Sequence, residues 1–536
     1  MTRRATAVLV GVWALTTFLW LHPGIVIPDG AGYYVYLPSI TLDHDLLFFD
    51  EWAQLGMIGD SGVIRFKDVT ANGHLANHWT SGSAIAWAPA YLLGHALAPA
   101  FGFPRNGFLL PYNVTVIFTS AVAGLIALLL GMRAAARYGE GNALTAALAV
   151  WVGSPLMWYS LRHATMSHAI GAAACAAVVW LSMRESPNYF AIGLAVGFAF
   201  AVRPQNAPFI LVPFILDRGS LLPRWIASRL DSARRQQAAA LQGGGKTAAL
   251  LFAGALIGAL PQLVVSQILW GSPLAFANVG GQGNDWQSFR HFRLFEVLFS
   301  SYHGLAIWTP LLLFAIAGFV FLEKRLRIAA ISMFAIQWLM IATLDRAFWG
   351  GAAFGQRRFD NCTIFFILGL AALFARIPRW ASIAIAVVPS IWTLKLFFTP
   401  LDLNVYQPLS QLIHTNADVR LSFVPPQMRL TAWGLMLATA ALLALLAWLA
   451  RFRPTLIAAS YLVAFSVVFA ICGLRDDPAR YRALIDRNRA HPTGTIMTTI
   501  LVIRNEARWL EETGDFEGST RAAREAEELA KAAGLR

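Results

Sequence analysis

Charged residues are scarce in this chain of 536 residues. Asp, Glu, Lys and Arg together make up 13% of it, whereas hydrophobic residues make up 57%. Soluble domains carry roughly 25% charged residues, so a water-soluble globular fold is excluded. Apolar runs recur along the sequence, and a helix needs roughly 20 such residues to cross a bilayer. Because a backbone in lipid must satisfy its own hydrogen bonds, the composition predicts an all-α polytopic membrane protein.

Cysteine and acidic residues are also few. Cys175, Cys362 and Cys472 lie far apart inside apolar segments, which excludes a disulfide framework and a cysteine-based metal site. The 29 acidic residues are outnumbered by 42 basic ones, and the basic residues lie in the short breaks between apolar runs. This distribution indicates membrane orientation, so the lipid bilayer and not nucleic acid is the expected partner.

Thirteen membrane-spanning helices are predicted within a transmembrane domain of residues 1–473. Their approximate ranges are 5–22, 108–131, 143–159, 168–183, 188–202, 205–217, 247–269, 304–322, 328–344, 360–375, 381–398, 430–450 and 454–473. With the N-terminus in the cytoplasm, the inside segments carry 18 basic residues, whereas the first outside loop, 23–107, carries 3 basic and 7 acidic residues. The bias predicts a bacterial inner-membrane protein whose first loop faces the periplasm.

Two segments decide this orientation. Residues 82–100 are apolar enough to cross, but a crossing there would invert every later loop, so we expect a helix that lies at the outer interface. Residues 188–217 allow either one long helix broken at Pro204 or two short spans that meet at Arg203-Pro204-Gln205-Asn206. Two spans are preferred because they keep the basic stretch 218–246 inside.

The C-terminal segment 474–536 differs in character from the rest. It carries 11 basic and 11 acidic residues in helical patterns. It is predicted to be a small solvated helical tail, on the periplasmic side by the number of spans.

Polar side chains collect in four of the predicted outside segments. These are residues 28–89, 158–169, 280–304 and 345–360, which supply a carboxylate directly after the first span and several histidines and arginines. A carboxylate that can take a proton from a hydroxyl, beside cations that can hold a phosphate, is what glycosyl transfer from a lipid phosphate requires.

The order of motifs in residues 1–375 resembles the GT-C glycosyltransferases. The motifs are DGAGYYVYL, NHWTSGSAIAWAP, LFSSYHGLAIWTP and WGGAAFGQRRF, and they look most like the protein-mannosyltransferase and aminoarabinose-transferase branch. The resemblance implies an inverting transferase that takes a sugar from a polyprenyl-phosphate donor. It also implies that the acidic residue of the first loop, here Asp29, is the catalytic base.

The sequence departs from that family at two places. Relatives carry a Lys-Pro pair near the lipid phosphate, where this chain has His78 and Trp79, so phosphate contact could pass to His78 or to the two arginines of the last motif. Relatives often have a second acidic residue in the second outside loop, where this chain has Arg162, His163 and His168. That difference disfavours a two-carboxylate metal site; the sequence identifies no cofactor, and a divalent cation stays open.

The candidate site therefore consists of Asp29 as base and a set of binding residues on the same face. Asp29 could instead be a turn residue that ends the first span, and the histidines could instead cap or join helices. Burying an unpaired charge in the membrane costs about 2.5 to 3.5 kcal/mol, so the outside arginine pair is expected to have a counter-anion, namely Asp345, Asp360 or a lipid phosphate. The residues expected to bind donor or acceptor are Tyr33, Tyr34, Asp50, Glu51, His78, His163, His168, His303, Arg357 and Arg358.

Two other functions fit a chain of this kind. One is a transporter or flippase for a lipid-linked sugar, and the other is an O-antigen-type polymerase or ligase. The latter would use the outside loop 399–429, which contains His414, Arg420 and Arg429. The sugar stays open, and so does the acceptor, which could be a glycan, a lipid or a protein.

Overall fold

The computed structural model describes the chain apart from residues 1, 27, 56–69, 71, 218–243, 276–291, 345–349, 421, 478–502, 504–506, 508–509, 511–514 and 533–536. Within the described residues the secondary structure is helical and contains no β-strand, which confirms the predicted all-α class. The α-helices of the first half are α1 (Arg3–Trp20), α2 (Asp29–Tyr34), α3 (Tyr36–Pro38), α4 (Phe49–Gln54), α5 (Gly82–Leu97), α6 (Leu110–Ala135), α7 (Glu140–Gly153), α8 (Leu156–Leu161), α9 (His168–Ser182), α10 (Tyr189–Val202) and α11 (Leu211–Leu216). Those of the second half are α12 (Gly244–Trp270), α13 (Leu294–Phe299), α14 (Leu305–Trp308), α15 (Leu311–Gly318), α16 (Lys324–Leu344), α17 (Thr363–Phe374), α18 (Arg379–Phe398), α19 (Leu409–His414), α20 (Arg429–Ala450), α21 (Pro454–Arg475) and α22 (Phe516–Ala532).

Seven helical segments of the described chain are long and apolar enough to cross a membrane. They are Gly82–Phe101, Leu110–Tyr138, Gly245–Trp270, Lys324–Thr343, Arg379–Phe398, Pro426–Ala450 and Pro454–Arg475. Four shorter apolar helices accompany them: His168–Ser182, Tyr189–Val202, Pro204–Leu216 and Leu311–Phe321. Six of the long helices and all four short ones coincide with predicted spans, and the remaining long one is the segment predicted to lie at the interface.

Several predicted spans are shorter in the structure because proline interrupts them. The predicted span 304–322 is divided into α14 and α15 at Pro310, since proline has no N–H to donate and its ring clashes with the preceding turn. The predicted span 143–159 is divided in the same way near Pro155, between α7 and α8.

The segment 188–217 forms a helical hairpin. Helix α10 ends where Arg203 adopts an extended conformation (φ −157°, ψ 124°), and a 3-10 helix, Pro204–Ile210, leads into α11. The Tyr189 hydroxyl donates a hydrogen bond to Asp217 at 2.7 Å, so the end of the hairpin returns to its beginning. The preferred two-span interpretation therefore matches the structure.

Both ends of α5 lie at the same face of the helix bundle. Gly82 packs against the backbone of Ala201 and Val202 at the end of α10, and Gly94 packs against the carbonyl of Pro111 at the beginning of α6. Neighbouring tyrosines reach the loops beside both ends: the Tyr34 hydroxyl donates to the Gly107 carbonyl, before α6, and the Tyr36 hydroxyl donates to the Trp79 carbonyl, before α5. A helix that lies along an interface requires this arrangement, although α5 is apolar enough to cross.

Helices α10 and α12 pack backbone against backbone. A Cβ atom on Gly193 or Gly197 would lie 2.1 or 2.0 Å from a carbonyl oxygen of α12, and one on Gly254 or Gly258 would lie 2.3 or 2.5 Å from a carbonyl oxygen of α10. Small residues at this spacing let membrane helices approach closely. The two helices run parallel. Arg203, which follows α10, and Trp270, the last residue of α12, therefore lie at the same face.

The C-terminal tail contacts the first loop. Asp476 accepts hydrogen bonds from the backbone N–H of Leu46 at 2.9 Å and from His74 Nε2 at 2.7 Å. Phe516, at the beginning of α22, packs edge-on against Phe103 at 5.7 Å between ring centroids. The tail therefore lies at the face that carries the first loop, as the predicted number of spans requires.

Candidate functional site

Three distant chain segments meet just beyond the first helix. Asp29 is the first residue of α2, and its Oδ2 accepts a hydrogen bond from Arg357 Nη2 at 2.8 Å. The indole Nε1 of Trp79 donates to the other carboxylate oxygen at 3.2 Å. The side chain of Asp29 is 32% exposed, whereas that of Arg357 is 9% exposed. The carboxylate is thus held by two donors and keeps one side open.

The DGAG sequence at 29–32 explains how this contact forms. A Cβ on Gly30 would lie 2.2 Å from Thr165 Oγ1, and a Cβ on Gly32 would lie 2.1 Å from the ring of Trp79. Only glycine allows α2 to approach both neighbours this closely. The carboxylate of Asp29 also stands at the N-terminus of its helix, where the backbone dipole favours a negative charge.

The pair of Asp29 and Arg357 is ionised at neutral pH. Burial alone would raise the pKa of Asp29, but the charge and hydrogen bond of Arg357, together with the bond from Trp79, lower it below its ordinary value. Burial likewise opposes the charge of Arg357, yet the neighbouring carboxylate raises the pKa of the guanidinium. The site therefore presents a carboxylate that is ready to accept a hydrogen bond or a proton.

The counter-anion of Arg357 differs from the sequence expectation. Asp345 lies outside the described residues, and Asp360 lies near His168, 3.7 Å from its ring. Asp29 itself is the partner of Arg357. The residue expected to act as base and a residue expected to hold phosphate are therefore one ion pair, which sequence spacing could not predict for positions 328 residues apart.

Arg203 is a site residue that the sequence analysis treated only as part of a turn. Its Nη1 lies 3.0 Å from both ring nitrogens of His168, the first residue of α9. Its charge also helps to lower the pKa of Asp29. In the part of the chain that the structure describes, no carboxylate lies within ion-pair distance of Arg203. Arg203 lies at the predicted outer end of a span, where the positive-inside rule predicts no excess of basic residues. That position is the signal that could have identified it.

Several other predicted residues lie close to this pair. Tyr33 is buried in α2, the helix of Asp29. His168 contacts Arg203, and Gln205 donates a hydrogen bond to the Arg358 carbonyl at 3.0 Å. His163 packs against the ring of Trp158, and burial with the charge of Arg162 lowers its pKa to about 3, so it is uncharged at neutral pH.

Three other predicted residues contact groups outside the pair of Asp29 and Arg357. Tyr34 is buried in the core, where its hydroxyl donates to the Gly107 carbonyl at 2.6 Å. His303 Nε2 lies 3.1 Å from the Leu403 carbonyl, and burial lowers the pKa of this imidazole to about 4. The ring of His78 packs edge-on against that of Trp79 at 6.1 Å between ring centroids. The residue types fit binding roles, but the side chains of Tyr34 and His303 bond to carbonyls in distant parts of the chain.

Asp50 and Glu51 belong to a separate acidic group on α4. Glu51 is buried, and burial together with the charges of Asp43, Asp45 and Asp50 raises its pKa well above the ordinary value. Burial also raises the pKa of Asp45 to about 6. Among the described residues no three His, Cys, Asp or Glu side chains are placed to share a metal ion. The divalent cation left open by the sequence stays a prediction.

The raised pKa of Glu51 predicts a pH-dependent stability. The unfolded chain loses this proton near pH 4.5, the ordinary value, whereas the folded chain retains it to higher pH. The folded state then binds more protons, and its stability falls as pH rises above about 4.5. We expect Glu51→Gln to raise the unfolding temperature at pH 8 and to leave it unchanged at pH 4. Thermal unfolding in detergent measures this, with the exposed Glu323→Gln as control; an equal difference at both pH values would contradict it.

In the segment 399–429, the three residues that the polymerase or ligase alternative would use bond to residues of that same segment. The His414 ring bonds to the Ser410 carbonyl at 2.7 Å, and Arg429 donates to the Val424 carbonyl at 3.1 Å. Arg420 forms an exposed ion pair with Asp418. The arrangement gives no support to the polymerase or ligase alternative.

Two solved structures are similar to this chain. Both are crystal structures of ArnT from Cupriavidus metallidurans, one bound to undecaprenyl phosphate and one in the apo state. The bound structure is 15% identical, with a TM-score of 0.42 over 98% of this chain and 87% of that one. The apo structure is 14% identical, with a TM-score of 0.44 over 99% and 88%. No protein-family model matches the chain, and no curated protein does. At 14–15% identity the chemistry of this chain must follow from its own side chains.

Proposed function

We propose that this chain is a membrane glycosyltransferase. It would move a sugar from a polyprenyl-phosphate donor to an acceptor at the periplasmic face of a bacterial inner membrane. The observation that carries the proposal is the ionised, partly open carboxylate of Asp29, held by Arg357 and Trp79 beside the guanidinium of Arg203. A base next to guanidinium groups at the end of a helix bundle suits a donor that is anchored in lipid.

The arginines would hold the donor phosphate. Arg203 has an imidazole as its partner instead of a carboxylate, so its charge is available to an anion. Arg357 shares its charge with Asp29, and Arg358 is half-exposed next to it in sequence. A guanidinium presents its donors in a planar fork that matches phosphate oxygens. The phosphate is therefore expected between Arg203 and Arg357.

The transfer step would be a single displacement. The acceptor hydroxyl oxygen attacks the anomeric carbon while the bond from that carbon to the phosphate oxygen breaks. The hydroxyl proton passes to Asp29, and the phosphate leaves with the bonding electrons, stabilised by the arginines. Because attack and departure take place on opposite faces of the sugar, the anomeric configuration inverts.

Donor binding would also increase the basicity of Asp29. Arg357 holds the pKa of this carboxyl down in the structure described here. A phosphate that shares the guanidinium reduces the positive charge felt by the carboxylate, and its proton affinity rises. The base would then be strongest when the donor is in place.

A lipid-linked sugar transporter receives less support. Transporters hold substrate near the bilayer midplane, commonly between broken helices. Here Asp29, Arg203 and Arg357 all lie at helix ends, before or after the apolar segments. The arrangement favours chemistry at a membrane face.

Arg203→Gln is expected to weaken binding of radiolabelled undecaprenyl phosphate about 10- to 100-fold in detergent. The reason is the loss of charge-assisted hydrogen bonds, each worth about 1.5 to 3 kcal/mol, where about 1.4 kcal/mol is tenfold in affinity. The control is Arg451→Gln, which removes an exposed guanidinium that lies over the ring of Trp448. Unchanged binding by a folded Arg203→Gln protein would rule out this phosphate site.

A further inference from the structure

The imidazole of His168 contacts two groups of opposite charge. His168 is the first residue of α9 and is 3% exposed. Its Nδ1 lies 3.0 Å from Nη1 of Arg203 and 3.7 Å from Oδ2 of Asp360. Within the described part of the chain, no ion pair joins Arg203 directly to Asp360. The imidazole is therefore a contact that the guanidinium and the carboxyl group share.

Asp360 would be a natural partner for Arg203. Its side chain is 3% exposed, and its Oδ2 has no hydrogen-bond partner among the described residues. The charges of Arg203 and Arg357 both act on it. A buried carboxylate is costly unless it is paired, and Arg357 already pairs with Asp29. Arg203 is thus the guanidinium that remains for Asp360.

The two charges lie on chain segments that are bonded to each other. The Gln205 side chain donates to the Arg358 carbonyl at 3.0 Å, and the Asn361 side chain donates to that of Asn206 at 3.2 Å. These hydrogen bonds hold the segment after α10 against the 3-10 helix that carries the carboxyl group. Because the backbones are fixed in this way, the separation of the two charges depends on side chains.

The imidazole is itself held in place. The ring of Tyr159 packs against it at 4.4 Å between centroids, and the Tyr159 hydroxyl accepts a hydrogen bond from the Phe354 N–H at 2.8 Å. Arg203 Nη1 is 3.0 Å from both ring nitrogens of His168, so it lies over the ring and not beside one nitrogen. A guanidinium that packs on a ring in this way keeps its charge, whereas a carboxylate partner would offset it.

We propose that His168 is a positioning residue that keeps Arg203 from pairing with Asp360, so that the guanidinium remains available to the donor phosphate. The inference rests on the proposed function and adds to it a residue that maintains the phosphate site. Without the ring, the guanidinium would turn to Asp360. A lipid phosphate would then have to displace a buried carboxylate, which costs binding free energy.

The test measures binding of radiolabelled undecaprenyl phosphate to the full chain in detergent. We expect His168→Ala to weaken binding about 10- to 100-fold, as for Arg203→Gln, because in both proteins the phosphate loses this guanidinium. Adding Asp360→Asn to His168→Ala should restore binding to within about threefold of the wild type, since the competing carboxylate is gone. The matched control is His95→Ala, which also removes an imidazole that contacts a tyrosine, Tyr112.

Restoration by Asp360→Asn separates this role from simple support of the fold. If His168→Ala bound the lipid as tightly as the wild type, or if Asp360→Asn did not restore its binding, the ring would not keep the two charges apart. Should His168→Ala not fold, His168→Phe keeps a ring at this position and should bind within about threefold of the wild type. Weaker binding by folded His168→Phe protein would also overturn the inference. If the wild type bound no undecaprenyl phosphate, the proposed function would fail first, and this inference with it.

Discussion

Asp29→Asn is expected to lower the rate of sugar transfer by about 10²- to 10⁴-fold, the usual contribution of a positioned general base. Arg357 and Trp79 donate to different oxygens of the carboxylate, and an amide has only one oxygen, so the variant should retain one of these two hydrogen bonds. It cannot take a proton from the acceptor hydroxyl. The measurement is the release of undecaprenyl phosphate from the glycosylated donor by membranes that contain the acceptor.

Folding and donor binding separate this effect from simple damage to the site. The variant leaves Arg357 without its carboxylate, and breaking a buried pair can cost about 3 to 5 kcal/mol; the cost should be smaller here because Asp29 is partly exposed. The variant should still bind undecaprenyl phosphate, because the arginines are intact. Asp418→Asn, in an exposed ion pair with Arg420, is the matched control. Transfer near the wild-type rate by purified Asp29→Asn protein would remove Asp29 as the base.

Gly197→Leu is expected to prevent the normal packing of α10 and α12. A Cβ at position 197 would lie 2.0 Å from the Ala255 carbonyl oxygen and 2.7 Å from the Ala259 nitrogen, and both are backbone atoms that cannot turn aside. Overpacking of a well-packed interior costs about 1 to 3 kcal/mol or more, and here two whole helices must separate. We expect a large fall in unfolding temperature and loss of donor binding, because α10 positions Arg203.

The matched control is Gly434→Leu in α20. A Cβ at position 434 meets no atom within 4 Å, so the same substitution in another long apolar helix should leave stability and binding unchanged. Thermal unfolding in detergent compares the two variants. A Gly197→Leu protein as stable as the wild type would contradict the close contact of α10 and α12.

The sequence was sufficient to predict the helical membrane class and to place Asp29 and Arg357 at one face. Both predictions depend on composition and on the distribution of basic residues. These properties can be evaluated for each segment of the sequence separately. The contact of Asp29 with Arg357 confirms that the first loop and the segment around 357 lie together. The same reasoning correctly divided residues 188–217 into two helices.

The sequence could not predict which of these side chains meet. The ion pair of Asp29 and Arg357 and the contact of Arg203 with His168 depend on how α2, α9 and α10 pack, and no local pattern encodes that. The sequence predicts that Tyr34 binds donor or acceptor, but its side chain is buried. It lies beside Tyr33 in the motif, yet successive helical residues point in different directions, and Tyr34 turns into the core.

Labelling of single cysteines from the two sides of the membrane tests the central claim most directly, since the site requires the first loop and the segment around 357 to face the periplasm together. In a chain whose three natural cysteines are replaced by alanine, Arg105→Cys and Ala352→Cys mark these two segments, and Glu185→Cys marks the predicted cytoplasmic side. We predict that a membrane-impermeant maleimide labels positions 105 and 352 in intact spheroplasts and labels position 185 only after the membrane is opened. Labelling of 105 and 352 from opposite sides would contradict the site and the function proposed for it.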